Sequence, residues 1–114
     1  MTIHPPLDTA TFEANATTVA AILRELANPH RLMVLCSLVE TGEMKVGDIA
    51  QRVGLSQSAL SQHLARLREE GLVAFTREAQ VLRYRIADAR IEALLATLYQ
   101  LYCAPTQLHQ GLKP

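Results

Sequence analysis

No apolar run in this 114-residue chain approaches the length of a membrane span, and no basic-then-apolar signal pattern opens it. The expectation is a cytoplasmic protein with no membrane partner. Cysteine is scarce: Cys36 and Cys103 stand alone. No disulfide framework holds the fold, and a permanent bridge is disfavoured in a reducing compartment. Two buried thiols, or a redox- or ligand-responsive pair, remain open. The four histidines, His4, His30, His63 and His109, are scattered, and none forms a spaced ligand pair. Paired carboxylates, a nucleophile–base arrangement and a glycine-rich phosphate loop are all missing. An enzyme is therefore not expected, and neither is a metal or other cofactor. Formal net charge is +0, which by itself does not announce a nucleic-acid partner.

What is present is organised. Hydrophobic residues make up 49% and charged residues 19%, enough for one domain with a modest core. Oligomerisation would supply further burial. Charge is uneven along the chain. From Ser56 to Arg85, Arg66, Arg68, Arg77, Arg83 and Arg85 face only Glu69, Glu70 and Glu78; up to Asn28, Arg24 stands alone against Asp8, Glu13 and Glu25.

Residues 1–10 lack periodicity and read as a disordered lead-in. From Phe12 the pattern is helical, with Val19, Ile22, Leu23 and Leu26 at i, i+3, i+4, i+7. Asn28 suits an N-cap and Pro29 the first position of a second helix, which carries Leu32, Leu35, Cys36 and Val39 on one face. Met44–Val46 fits a short strand or the entry to a brief third helix, about Gly47 to Val53. Gly54-Leu55-Ser56 is a three-residue turn. Ser56 then caps a longer helix to Glu70, packed by Leu60, Leu64 and Leu67, with Gly71 just past its end. That arrangement is a helix-turn-helix. Val73–Arg77 and Val81–Ile86 pair as a two-stranded β wing. Its Ala79-Gln80 turn lacks the usual Asn-Gly chemistry. Asp88 caps a last helix with the apolar stripe Ile91, Leu94, Leu95, Leu98, Leu101 and Tyr102. The fold class is thus mainly α with a two-stranded β wing, a winged helix-turn-helix over residues 11–103, followed by a flexible tail over 104–114. Six large apolar residues in one stripe exceed what so small a monomer covers. A helical homodimer interface shared with Phe12–Leu26 is expected.

The outer face of the longer helix is the most informative surface. Gln57, Ser58, Ser61, Gln62 and His63 are short, hydrogen-bonding and mostly uncharged, where a solvated face would carry Lys and Glu. A helix reading base edges in a duplex major groove needs such side chains, and amides can pair bidentately with adenine. Ser56 and the helix N-terminus suit a phosphate. Arg66, Arg77, Arg83 and Arg85 would add salt-sensitive phosphate contacts. Arg68 reads as a solvated or paired charge, and His63 as either a DNA contact or a helix-packing residue.

LANPHRLMVL at residues 26–35, VGDIAQRVGLSQSALSQHLARLREEGLV at 46–73 and the strand containing Tyr84 go further. Together they resemble the ArsR/SmtB family of bacterial transcriptional repressors, over roughly Leu23 to Cys103. The resemblance implies a homodimer through the first and last helices, bound to double-stranded operator DNA until an effector lowers its affinity. The family's metal-binding patterns are not met: Met44-Lys45-Val46-Gly47-Asp48 offers no thiol, and Asp88–Tyr102 contains no His. The ending Leu98-Tyr99-Gln100-Leu101-Tyr102-Cys103 instead resembles the dithiol branch, the BigR-, SqrR- and HlyU-like regulators. That branch implies that Cys36 and Cys103 of one protomer sense reactive sulfur species or another oxidant and become linked by a disulfide or polysulfide chain. From the residues alone Cys36 lies in the apolar stripe of its helix, where a thiol behaves as a small hydrophobe, and no cation is evident beside either thiol. An HlyU-like activator or antirepressor without thiol sensing is the other branch reading.

Overall fold

The structure, a computed structural model, describes residues 8–102; the lead-in up to residue 7, Cys103 and the 104–114 tail lie outside the described residues. Among the described residues, five helices and three short strands follow in order: α1 (Thr9–Leu26), α2 (Pro29–Thr41), β1 (Met44–Lys45), α3 (Val46–Val53), α4 (Gln57–Glu69), β2 (Val73–Glu78), β3 (Val81–Ile86) and α5 (Ala89–Tyr102).

Side-chain caps set the starts of α1, α2, α4 and α5, while α3, preceded by Lys45, begins without one. Asn28 Oδ1 accepts from the Arg31 amide at 3.0 Å, with Pro29 next to it. Ser56 Oγ accepts from the Ala59 amide at 3.1 Å, and Asp88 Oδ1 from the Arg90 amide at 2.7 Å. Each satisfies a donor that has no partner inside its helix. Asp8 caps α1 in the same way, accepting from the Thr11 amide at 2.8 Å. Helix α1 therefore takes in Thr9 and Ala10, which the sequence reading left in the lead-in.

Helix α4 ends where Gly71 enters the left-handed region at φ +78°. Its amide donates to Arg68 O and that of Leu72 to Leu67 O, both at 2.9 Å, so two terminal carbonyls are satisfied together. The space around a Cβ at Gly71 is open, so only backbone strain opposes a side chain. Gly71→Ala should cost about 1–2 kcal/mol, visible as a lower thermal midpoint with an unchanged circular dichroism spectrum.

The expected two-stranded wing, β2 and β3, is extended by a third strand. β1 pairs antiparallel with β3, Met44 opposite Tyr84, giving the order β1-β3-β2. Residues 44–46 thus serve both expected roles, strand and helix entry. In the hairpin Phe75 lies opposite Tyr84, with ring centroids 5.3 Å apart, and Arg68 stands over the Phe75 ring at 5.2 Å. The core gathers Val34, Leu35 and Leu38 of α2, Ile49 and Val53 of α3, Leu60, Leu64 and Leu67 of α4, Tyr84, and Ile91 and Leu95 of α5. Helix α1 is peripheral. Leu26 is buried and Ile22 packs against the core, while Val19 and Leu23 of the same apolar stripe face outward. Of the six-residue stripe on α5, only Ile91 and Leu95 are buried; Leu94, Leu101 and Tyr102 are exposed.

Candidate nucleic-acid interface

With Leu60, Leu64 and Leu67 turned into the core, α4 presents Gln57, Ser58, Ser61 and Gln62 to solvent. Ser56 stands at the exposed N-terminus of the same helix. Gln57 and Ser61 line an open groove of about 400 Å³ together with Lys45, Gly47 and, from the wing tip, Gln80 and Val81. Polar side chains, a lysine and a wing therefore bound one concave strip. Ala79, at the tip, carries the only positive φ of a non-glycine among the described residues, +56°, a turn conformation that Asn or Gly would adopt with less strain.

His63 departs from the outward-facing expectation. It is half-buried and stacks on His30 at the start of α2, with ring centroids 6.1 Å apart. Burial, reinforced by Arg31, His30 and Arg66, lowers its pKa below 6.5. The unfolded chain then binds the proton more tightly than the folded one, so stability rises with pH through this range and is lost as pH falls below the unfolded value. Thermal midpoints measured between about pH 5 and pH 7.5 should show that loss, and His63→Gln should flatten it.

The arginines divide by partner. Arg83 Nε donates to Glu78 Oε1 at 3.1 Å, and Arg85 Nη1 to Thr76 Oγ1 at 3.0 Å. Both lie on the same face of the wing; Arg85 is exposed, while Arg83 is half-buried and paired with Glu78. The register puts Arg77 opposite Leu82, on the other face, where it is exposed near the tip. The expectation of a simple phosphate contact for Arg66 meets a different geometry: its Nε donates to Glu25 Oε1 of α1 at 2.8 Å. Glu25, read from sequence as one more N-terminal acid, is 4% exposed. Its hydrogen bond and charge raise the pKa of Arg66 further. The signal was legible only in part: Glu25 precedes the inward Leu26, but its partner lies 41 positions away.

Cys36 is half-buried on α2, not sealed in the core. It lines a cavity of about 150 Å³ together with Met33, Glu40, Arg52 of α3, Val53 and Tyr99 of α5. Tyr99 OH donates to Glu40 Oε2 at 2.9 Å, and Arg52 forms an ion pair with the same carboxylate. Arg52, a cation that shares the lining of this cavity, is paired with Glu40.

Comparison with known proteins decides the family. A family model described as "Bacterial regulatory protein, arsR family" matches residues 28–74, from α2 into β2. The transcriptional activator HlyU of Vibrio cholerae serotype O1 is 40% identical over 102 residues, spanning 90% of this chain and 94% of HlyU. This chain belongs to the arsR family. The biofilm growth-associated repressor of Xylella fastidiosa is likewise 40% identical over 101 residues, covering 89% of this chain and 88% of the repressor. Among solved structures, reduced HlyU from Vibrio cholerae superposes with a TM-score of 0.78 at 41% identity, covering 82% of this chain and 98% of that one. A homodimeric winged helix-turn-helix DNA-binding domain from Mycobacterium bovis gives 0.70 at 31% identity, over 87% and 89%.

As an arsR-family protein the chain is a DNA-binding transcriptional regulator and not an enzyme. Its fold is the winged helix-turn-helix of that family. Among the described residues no group of three or more His, Cys, Asp or Glu is gathered to hold a metal ion, and no helix is long and apolar enough to cross a membrane.

Proposed function

We propose that this arsR-family regulator works as a homodimer that docks its two α4 helices in successive major grooves of double-stranded operator DNA, repressing transcription until Cys36 and Cys103 are linked. The observation that carries the DNA reading is the outer face of α4. Ser58, Ser61, Gln57 and Gln62 are exposed together, without a Lys or Glu among them, beside a wing bearing Arg77, Arg83 and Arg85. Gln57 and Gln62 suit base edges, Ser56 and the α4 N-terminus a phosphate, and the wing arginines the flanking backbone. Arg66, held by Glu25, and His63, stacked on His30, serve the placing of the helix more than direct contact.

Gln62→Ala tests the assignment. It should lower affinity for the cognate operator by about 1–3 kcal/mol while leaving random duplex nearly unaffected in a competition gel shift. Equal losses on both would remove Gln62 from the readers.

The dimer reading is supported by the exposed apolar residues of α1 and α5 and by the homodimeric neighbour from Mycobacterium bovis. The thiol reading is supported by the accessible Cys36 cavity and by Tyr99, which lines it and precedes Cys103 by four residues. A second reading, activation without thiol sensing, is favoured by the similarity to a protein named as an activator, HlyU. Operator binding that ignores thiol oxidation would select it.

A further inference from the structure

Glu25 is the only buried acidic side chain among the described residues, and it touches the reading helix from outside the helix-turn-helix. It sits in the last turn of α1. One of its oxygens accepts from Arg66 Nε of α4 at 2.8 Å and lies 3.5 Å from Arg31 Nε of α2. Arg31 is fastened in turn to the end of α1: its Nε donates to Glu25 O at 2.8 Å and its Nη2 to Arg24 O at 3.4 Å. Arg66 stands one helical turn after Gln62. Among the described residues this is the one ion pair joining α1 to α4. The same α1 presents Val19 and Leu23 to solvent.

We infer that Glu25 is a positioning residue for DNA recognition, fixing through Arg66 the rotation and offset of α4 relative to α1, and hence the separation of the two reading helices in a dimer. The inference rests on the proposed docking of α4 in DNA and on α1 as a dimer helix. Charge-assisted hydrogen bonds from guanidinium to carboxylate are short and directional, so a pair anchored in a buried carboxylate resists rolling of the helix. The tolerance is narrow, because two heads must meet half-sites about 34 Å apart on one duplex.

A rival role for Arg66, plain contact with phosphate, makes the opposite forecast. Glu25 would then compete with DNA for Arg66, and Glu25→Gln would free it, add positive charge and tighten binding. Positioning requires Glu25→Gln to weaken specific binding. The substitution leaves Arg31 its two carbonyl acceptors and an amide oxygen for Arg66, so an unchanged circular dichroism spectrum is expected.

The probe is a duplex enriched by the wild-type protein from a pool with random half-sites and variable spacing between them. Expected for Glu25→Gln are unchanged oligomeric state, about tenfold weaker binding to the enriched duplex, no loss on random duplex, and a broadened spacing preference. Binding of the enriched duplex as tight as wild type or tighter, with the same spacing preference, overturns the inference. If Glu25→Gln does not fold, Arg66→Met decides, since it leaves Glu25 with Arg31. Loss confined to the enriched duplex at an unchanged salt slope supports positioning. Equal loss on all DNA, with the slope reduced by about one phosphate, overturns it. Enrichment of no duplex by the wild type sinks the underlying DNA-docking reading, an outcome distinct from the failure of Glu25 alone.

Discussion

Leu94→Glu should leave the purified protein monomeric and lower its operator affinity by about two orders of magnitude or more. Leu94 is 38% exposed on α5 and faces a groove of about 470 Å³ shared with Val19 and Leu23 of α1, each 51% exposed. Phe12, further along α1, is 61% exposed. Leaving these side chains in water forfeits about 25 cal/mol for each Å² that a partner would cover. A carboxylate placed among them would be desolvated without a counter-ion when two copies meet, and several kcal/mol oppose that. Once the copies separate, the second half-site is no longer bound intramolecularly, and an advantage of about 10²–10⁴ disappears. Leu94 lies outside the buried cluster, so the monomer should keep its helical spectrum. Light scattering reads the mass and anisotropy reads the affinity; a dimeric variant with wild-type affinity would place the interface elsewhere.

The second large effect is chemical. Treatment with an organic persulfide should lower operator affinity by about five- to 150-fold, with recovery on reduction. Cys36→Ser and Cys103→Ser should bind DNA and ignore the reagent. The balanced step takes two thiols and one persulfide to a disulfide, a thiol and hydrogen sulfide. A second persulfide inserts one further sulfur, giving a trisulfide bridge with two thiols and one hydrogen sulfide released. The Cys36 cavity suits such a switch because its walls come from three helices. Tyr99 of α5 and Arg52 of α3 meet on Glu40 of α2. Pulling α2 against α5 would disturb a carboxylate that also holds α3, the first helix of the helix-turn-helix. Mass spectrometry should show both thiols consumed in one linkage within a protomer. Independent modification of the two cysteines with unchanged affinity would leave the regulator without this switch.

The helix-turn-helix was legible because local rules and long-range packing agree there. Ser56, the Leu60-Leu64-Leu67 spacing and Gly71 each state a start, a face and a stop, and the structure uses all three. Asn28-Pro29 was equally plain. The places where sequence reasoning fell short are tertiary. The short strand offered at Met44–Val46 could not be given a partner from sequence, because a two-residue strand has no periodicity of its own; it pairs with the edge of β3. Val19 and Leu23 share a stripe with Ile22 and Leu26 yet are exposed, because periodicity marks an apolar face without dividing it between this chain's core and the surface expected to meet a second copy. Within the candidate site, the outward Gln57, Ser58, Ser61 and Gln62 followed from helical angle alone. His63 and Arg66 did not: one turns toward His30 and the other toward Glu25, partners 33 and 41 residues earlier that no local pattern announces.

The most direct measurement is an anisotropy titration of the reduced, full-length protein against duplex DNA at about 50 mM and 200 mM salt, with mass determined on the same samples. One dimer per duplex is expected, with affinity falling by about a thousandfold between the two salts if Arg77, Arg83 and Arg85 of both copies neutralise phosphates. A monomer that leaves duplex DNA unbound even at the lower salt would contradict the docking of α4.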